Sequence, residues 1–110
     1  MEKTKYNLFL SYSKSDSQLF KVPLLAEKLE FHRFIEAAWY FERDAKEDWV
    51  KYMDEKLGKT DYLLLFCTPN ALDSSHVENE WRAMYAKHKD NPTKIIPIFI
   101  EEKYIPTLLK

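Results

Sequence analysis

DYLLLFC, residues 61–67, is apolar at every position after its opening acid. A strand with one wet face alternates polar and apolar side chains. A strand without that alternation belongs to a parallel sheet covered by helices on both sides. The segments around it fit such a sheet. YNLFLSY, residues 6–12, is apolar and aromatic and runs into the turn-like SKSD, which predicts a first buried strand. IEAAWYF, residues 35–41, reads as the second strand, DYLLLFC as the third and TKIIPIFI, residues 93–100, as the fourth.

Helical patterns fill the gaps. Ser15 followed by Gln18 is a capping-box pattern that predicts a helix start, with Leu19, Leu24, Leu25 and Leu29 available to the core. Pro23 lies inside this helix and removes a backbone donor, so a kink or restart is expected near Lys21–Pro23. Trp49, Met53 and Leu57 recur at spacing four on a helix from about Ala45 to Leu57. Gly58, the chain's one glycine, is expected to end it as the C′ residue. A third helix is expected from Ser74 or Ser75.

This alternation predicts an open α/β, mostly parallel sheet with right-handed crossovers and helices on both faces. The flavodoxin-like order 2-1-3-4 fits best. Pro97 agrees with it, since proline is tolerated on an edge strand, and strand four is the edge if a fifth strand is lacking. Ligands of such sheets bind beyond the carboxyl ends of the strands, where the order reverses between strands one and three. Ser11–Asp16, Glu42–Glu47 and the residues from Thr68 into the third helix are delivered there.

Composition bounds the function. The 110 residues suit one domain over 1–110, and domains of this size bury roughly two thirds of the unfolded chain's surface. Hydrophobic residues at 45%, charged residues at 32% and a net charge of −1 describe a folded, soluble chain. They show no basic excess of the kind that marks a nucleic-acid partner. The longest apolar runs fall far short of the ~20 residues of a membrane span, and the N-terminus lacks the apolar core of a signal peptide. With Cys67 as the sole cysteine no internal disulfide can form, and a cytoplasmic location is expected. Cys67 itself reads as a buried small hydrophobe rather than a reactive thiol.

A single glycine rules out both the GxGxxG dinucleotide turn and the GxxxxGK[ST] phosphate loop. His32, His76 and His88 have no metal-ligand spacing with Cys67, so neither a metal nor a cofactor is expected. No serine sits in a GxSxG elbow. SYS at the end of strand one, in place of an acidic pair, argues against a phospho-acceptor receiver.

FLSYSKSD after strand one, ERD after strand two, LLLFCTPNALDSS after strand three, the helix start VENEW, and IIPIFI with the later IPTLL resemble the TIR domain in order and spacing, over essentially all of residues 5–109. The resemblance is strongest to the microbial, stand-alone style of that family. It implies one of two functions. Many TIR domains are self-associating signalling modules that bind other TIR domains; a subset cleave NAD+ at the nicotinamide–ribose bond, as glycohydrolases or cyclases. In those enzymes the carboxylate comes from the glutamate of a WxxxE pattern on the helix after strand three. Here that window reads HVENE, residues 76–80, so the resemblance gives Glu80 the catalytic position, with His76 in place of tryptophan. NAD+ is then the substrate, not a cofactor.

Helix geometry separates the two acids of this window. With Ser75 as N-cap, Glu78 falls at N3 as a capping-box partner. Val77, Trp81, Met84 and His88 mark the core stripe, and at 100° per residue Glu80 lies about 60° to one side of it, at the boundary of core and crevice, with His76 one turn above. Without chemistry, Glu80 would be a half-exposed helix acid paired loosely with His76, worth about 0.2–0.5 kcal/mol. Ser11 and Ser13 are candidates for ribose or phosphate contacts and Tyr12 for stacking on a ring, beside the plain alternative of a polar turn. Arg43 can meet a diphosphate with its planar fork or pair with Asp44 or Glu47. Trp39, Trp49 and Trp81 read as core, and Asp16 as a favourable charge at the first helix start. Against the family, the loop after ERD is the short AKED, without its Pro-Gly pair, and the chain ends just after IPTLL, where the family continues into another strand and helix.

Overall fold

A computed structural model of the chain describes residues 5–41, 49–87 and 94–109. Its four strands are β1 (Tyr6–Ser11), β2 (Ile35–Trp39), β3 (Tyr62–Cys67) and β4 (Ile95–Phe99). They form one parallel sheet in the order β2-β1-β3-β4. The helices are α1 (Ser17–Phe20), α2 (Val22–Glu30), α3 (Trp49–Lys59), α4 (Pro69–Leu72) and α5 (Ser75–Lys87). The flavodoxin-like order expected from the apolar run of β3 is therefore the order found. Pro97 lies on β4, which among the described residues pairs only to β3, so its missing N–H breaks no ladder on the open side.

The two-residue period of the strands sorts the core into two halves. Phe9, Leu63, Leu65, Cys67 and Ile95 pack with Tyr52 and Leu57 of α3 and with Val77, Trp81 and Met84 of α5. Leu8, Leu10 and Phe66 face the other way, onto Val22 and Ala26 of α2. β1 runs between these halves, and Leu8 through Ser13 are all buried. On this alternation Ser11 shares the face of Phe9, towards α5. Tyr12 turns to the α2 side, its ring 6.5 Å from that of Tyr40.

Several local expectations are corrected. The chain leaves β1 through a 3-10 turn, Lys14–Asp16, and α1 begins at Ser17 with Asp16 as N-cap and no side-chain cap bond, so Ser15 and Gln18 form no capping box. The restart at Lys21–Pro23 is present: Lys21 takes a left-handed φ of 50°, and α2 opens at Val22 with Pro23 in its first turn, where a missing N–H leaves no bond broken. Leu25 and Leu29 pack on the core, but Leu19 and Leu24 are exposed. β2 stops at Trp39, short of residue 41. Gly58 does not end α3, which continues to Lys59; Thr60 closes it, its N–H donating to Leu57 O and its hydroxyl to Lys56 O at 2.7 Å. Ala45, the expected start of that helix, lies outside the described residues.

Asp16 does more than favour a helix start. Its carboxylate is buried and accepts from the Thr68 hydroxyl at 2.5 Å and from Asn70 Nδ2 at 2.9 Å. Thr68 in turn accepts the Ala71 N–H at 3.0 Å as the N-cap of α4. One side chain thus caps a helix and ties the ends of β1 and β3 together. Thr68→Val keeps the volume and removes both bonds, one of them to a buried carboxylate. We expect a loss of about 2–3 kcal/mol of folding stability, read from urea unfolding midpoints.

Candidate functional site

The site is built where α5 crosses the end of β1. Ser74 caps α5, its hydroxyl accepting the Val77 N–H at 3.2 Å. Ser75 is therefore the first helical residue, and Glu78 is not the capping-box partner expected of it. Glu78 instead holds Arg82 Nε at 2.7 Å on the exposed side of the helix.

Glu80 points inward. It is 1% exposed, and so is Val77, with Met84 at 0% and Trp81 at 6%. The four positions 77, 80, 81 and 84 form one buried stripe with an acid in its second slot. The half-exposed acid at a core boundary is thereby replaced by a fully buried one. Its Oε1 accepts the Ser11 hydroxyl at 2.7 Å, and its Oε2 lies 3.4 Å from Nε2 of His76, one turn earlier. Burial pushes the Glu80 carboxyl above its ordinary value of 4.5. The hydrogen bond and charge of His76 and the hydrogen bond of Ser11 pull against that rise.

A cavity of about 230 Å³ opens beside this carboxylate, lined by Leu10, Tyr12, Ser13, Lys14, Phe41, Ser74, His76 and Glu80. Tyr12, Ser13, His76 and Glu80 from the sequence reading are thus brought together at one opening. Ser11 is not among them. It is fully buried and bonded to Glu80, so the hydroxyl expected to contact ribose or phosphate contacts the acid instead. Arg43 lies outside the described residues. Leu10, Lys14, Phe41 and Ser74 line the opening without having been named as site candidates, and two of them bear on its chemistry. Phe41 sits edge-on to the His76 ring, with centroids 4.6 Å apart, and exposed Lys14 brings a positive charge to the rim. Lys14 was visible as the one base in SYSKSD; Phe41 was read only as the carboxyl end of the second strand, although that end faces the crevice.

A larger cleft of about 640 Å³ lies elsewhere, against Trp81, Tyr104 and Leu108. Its lining is largely apolar, and its two charged side chains, Glu78 and Arg82, are paired with each other. Cys67 lines it as well; burial pushes that thiol up to about 11, consistent with a hydrophobic rather than a reactive role. Among the described residues no group of three or more His, Cys, Asp or Glu is arranged to hold a metal ion, and no helix is long and apolar enough to cross a membrane.

The sheet order and an inward-facing carboxylate at the strand ends define the chain as a flavodoxin-like α/β domain with its candidate site beyond β1 and β3. The TIR domain family profile matches residues 8–110, and the chain belongs to that family. Similar solved structures agree on the fold. The TIR domain of the Toll-related receptor TRR-2 from Hydra magnipapillata superposes with a TM-score of 0.72 at 15% identity, covering 96% of this chain and 78% of that one. The TIR domains of the activated Roq1 resistosome, which directly recognises the pathogen effector XopQ, give 0.71 at 16% identity, over 86% of this chain and 57% of that one. A prokaryotic SEFIR domain gives 0.68 at 21% identity, over 96% and 83%. No curated protein matches the chain.

The raised carboxyl has a consequence for stability. The folded state holds the Glu80 proton more tightly than the unfolded state does, so this group favours folding most at low pH. Its contribution declines as pH rises from about the ordinary value of 4.5 through the higher folded value. Glu80→Gln removes the titration. We expect the variant to gain stability relative to wild type as pH rises over that range, measured as the difference between urea midpoints from pH 4 to 8.

Proposed function

We propose that this TIR domain cleaves NAD+ at the nicotinamide–ribose bond, as a glycohydrolase or cyclase, with Glu80 as the catalytic carboxylate. The observation that carries the reading is the burial of Glu80 against a cavity at the strand ends, in a chain of a family that includes such enzymes. In NAD+ the nicotinamide is already a cationic leaving group. When the C1′–N bond breaks, its electron pair passes to the ring nitrogen, nicotinamide departs neutral, and positive charge builds on the ribose. No general acid is needed, unlike the paired carboxylates of ordinary glycoside hydrolysis. The site must supply negative charge and orientation. An ionised Glu80, hydrogen-bonded to ribose hydroxyls in a nearly dry site, stabilises the oxocarbenium-like transition state more than it would in water. Water then adds at C1′ and loses its proton to solvent, giving ADP-ribose, or an internal nucleophile closes the cyclic product.

Tyr12, Ser13 and His76 line the opening through which the ribose would reach the acid, and the positive charge of Lys14 at its rim suits a diphosphate. The activity is proposed to arise on self-assembly, in a signalling or defence pathway inside the cytoplasm, with other TIR domains as partners. A second reading, a non-catalytic TIR–TIR interaction module, is favoured by the exposed apolar side chains Leu19, Leu24, Phe31 and Phe34 around α1 and α2.

Nicotinamide release from NAD+ across a wide range of protein concentration, with a crowding agent, separates the two. Release that falls on the order of 10²-fold or more in Glu80→Gln is the expected outcome. Because the carboxylate acts ionised, release should also rise with pH through the elevated carboxyl value, giving an acid limb above pH 4.5. Self-association without release, equal in wild type and Glu80→Gln, would leave the interaction module as the function.

A further inference from the structure

The two oxygens of the Glu80 carboxylate are in different surroundings. Oε1 is held at 2.7 Å by Ser11, which is 0% exposed at the last position of the central strand. Ser11 does not line the cavity, and its backbone is locked in register with Leu65 of β3. Oε2 lies 3.4 Å from His76 Nε2, a longer contact to a side chain that is 33% exposed. His76 also lines the cavity, with Phe41 against its ring. One oxygen is thus fixed from the dry side by an immobile donor. The other meets a donor that solvent can reach.

Resting on the reading of Glu80 as the acid that meets NAD+, we propose that Ser11 is its positioning residue: it fixes Oε1, so that a ribose hydroxyl takes Oε2 in exchange for His76. A carboxylate on a flexible three-bond stem has several staggered orientations. Tying one oxygen to the sheet selects a single orientation before substrate arrives, so less freedom is lost on binding and the charge is already aimed at C1′. His76 satisfies Oε2 in the empty site and is replaced by a group of the same kind, a hydrogen-bond donor. This division gives the two neighbours opposite kinetic roles. Ser11 acts throughout the reaction and belongs to kcat. His76 competes with substrate and belongs to KM.

Three substitutions test the assignment by nicotinamide release. Ser11→Ala should lower kcat about tenfold or more while KM stays within about twofold, since a hydrogen bond to a charged group is lost without touching the cavity wall. Its acid limb should move to higher pH, because the lost bond favoured the ionised acid. The titratable groups lining the cavity, Tyr12 and Lys14 from the end of β1 and the turn after it and His76 from α5, are the same in this variant. Ser11→Thr, which keeps the hydroxyl, should restore both kcat and the limb. His76→Phe should also move the acid limb to higher pH and, at pH values above that limb, lower KM several-fold with kcat near wild type. A Ser11→Ala protein with unchanged kcat and an unmoved limb, or a change in KM alone, overturns the proposal.

The same question has an answer that needs no turnover. In 13C-glutamate-labelled protein the Glu80 carboxyl should titrate at higher pH in Ser11→Ala than in wild type, and at the wild-type position in Ser11→Thr. Coincident titrations of all three overturn the role of Ser11 whatever the activity. Shifted titrations in a protein that releases no nicotinamide would sink the proposed NAD+ reaction while upholding the Ser11–Glu80 tie.

Discussion

From Leu8 to Ser11, β1 is buried on both faces and flanked by β2 and β3 along its edges. A strand in that position has no water to satisfy a polar side chain. When Ser11 falls within it, its hydroxyl must find a partner inside the protein or cost the fold on the order of 1–3 kcal/mol. Glu80 answers that demand from α5, and Ser11 answers the larger demand of the buried carboxylate. Each polar group is tolerable because the other is there. A second cluster repeats the arrangement five residues on, where Asp16 meets Thr68 and Asn70. Together these bonds pin the turn after β1 to α5 on one side and to the end of β3 on the other. The crevice at the reversal of strand order is framed by hydrogen bonds between side chains rather than by packing alone.

Much of this was legible in the sequence because it follows from periodicity. The unbroken apolar run of DYLLLFC pointed to two covered faces, and Pro97 agreed with an edge position; together with the strand–helix alternation these point to the order of the sheet. The restart at Lys21–Pro23 followed from a missing N–H. Local capping was read less well: the role given to Ser15 falls to Asp16, and between Ser74 and Ser75, chemically equivalent, the tertiary position of the chain selects Ser74. Gly58 misled in the same way: glycine permits a helix to end but does not oblige it to, and the hydroxyl of Thr60 offered a better stop.

The site was half legible. The choice of Glu80 over Glu78 rested on the family resemblance and on helix angle; the structure turns Glu80 inward and Glu78 outward. The placing of Ser11 among ligand contacts failed for a reason the sequence already contained. Counting by two from Phe9, which had to be core, puts Ser11 on the same face, beneath the third helix rather than in front of it. The spacing of 77, 80, 81 and 84 likewise puts Glu80 within the buried stripe, not at its border. Polar residues were assumed to seek solvent, and two of them instead sought each other.

That pairing bears on why an acid stands at position 80. A buried carboxylate that is raised by desolvation weakens the folded state at neutral pH, and a well-packed apolar side chain of similar volume would commonly serve the core as well or better. A purely structural tie between α5 and β1 would also close both oxygens inside protein. Here only one is held by a donor fixed in the core. The other is met at 3.4 Å by a side chain one third exposed, at the wall of a cavity with Lys14 on its rim. An arrangement that accepts the desolvation of an acid yet leaves one of its oxygens within reach of a ligand is what electrostatic stabilisation of a developing cation requires.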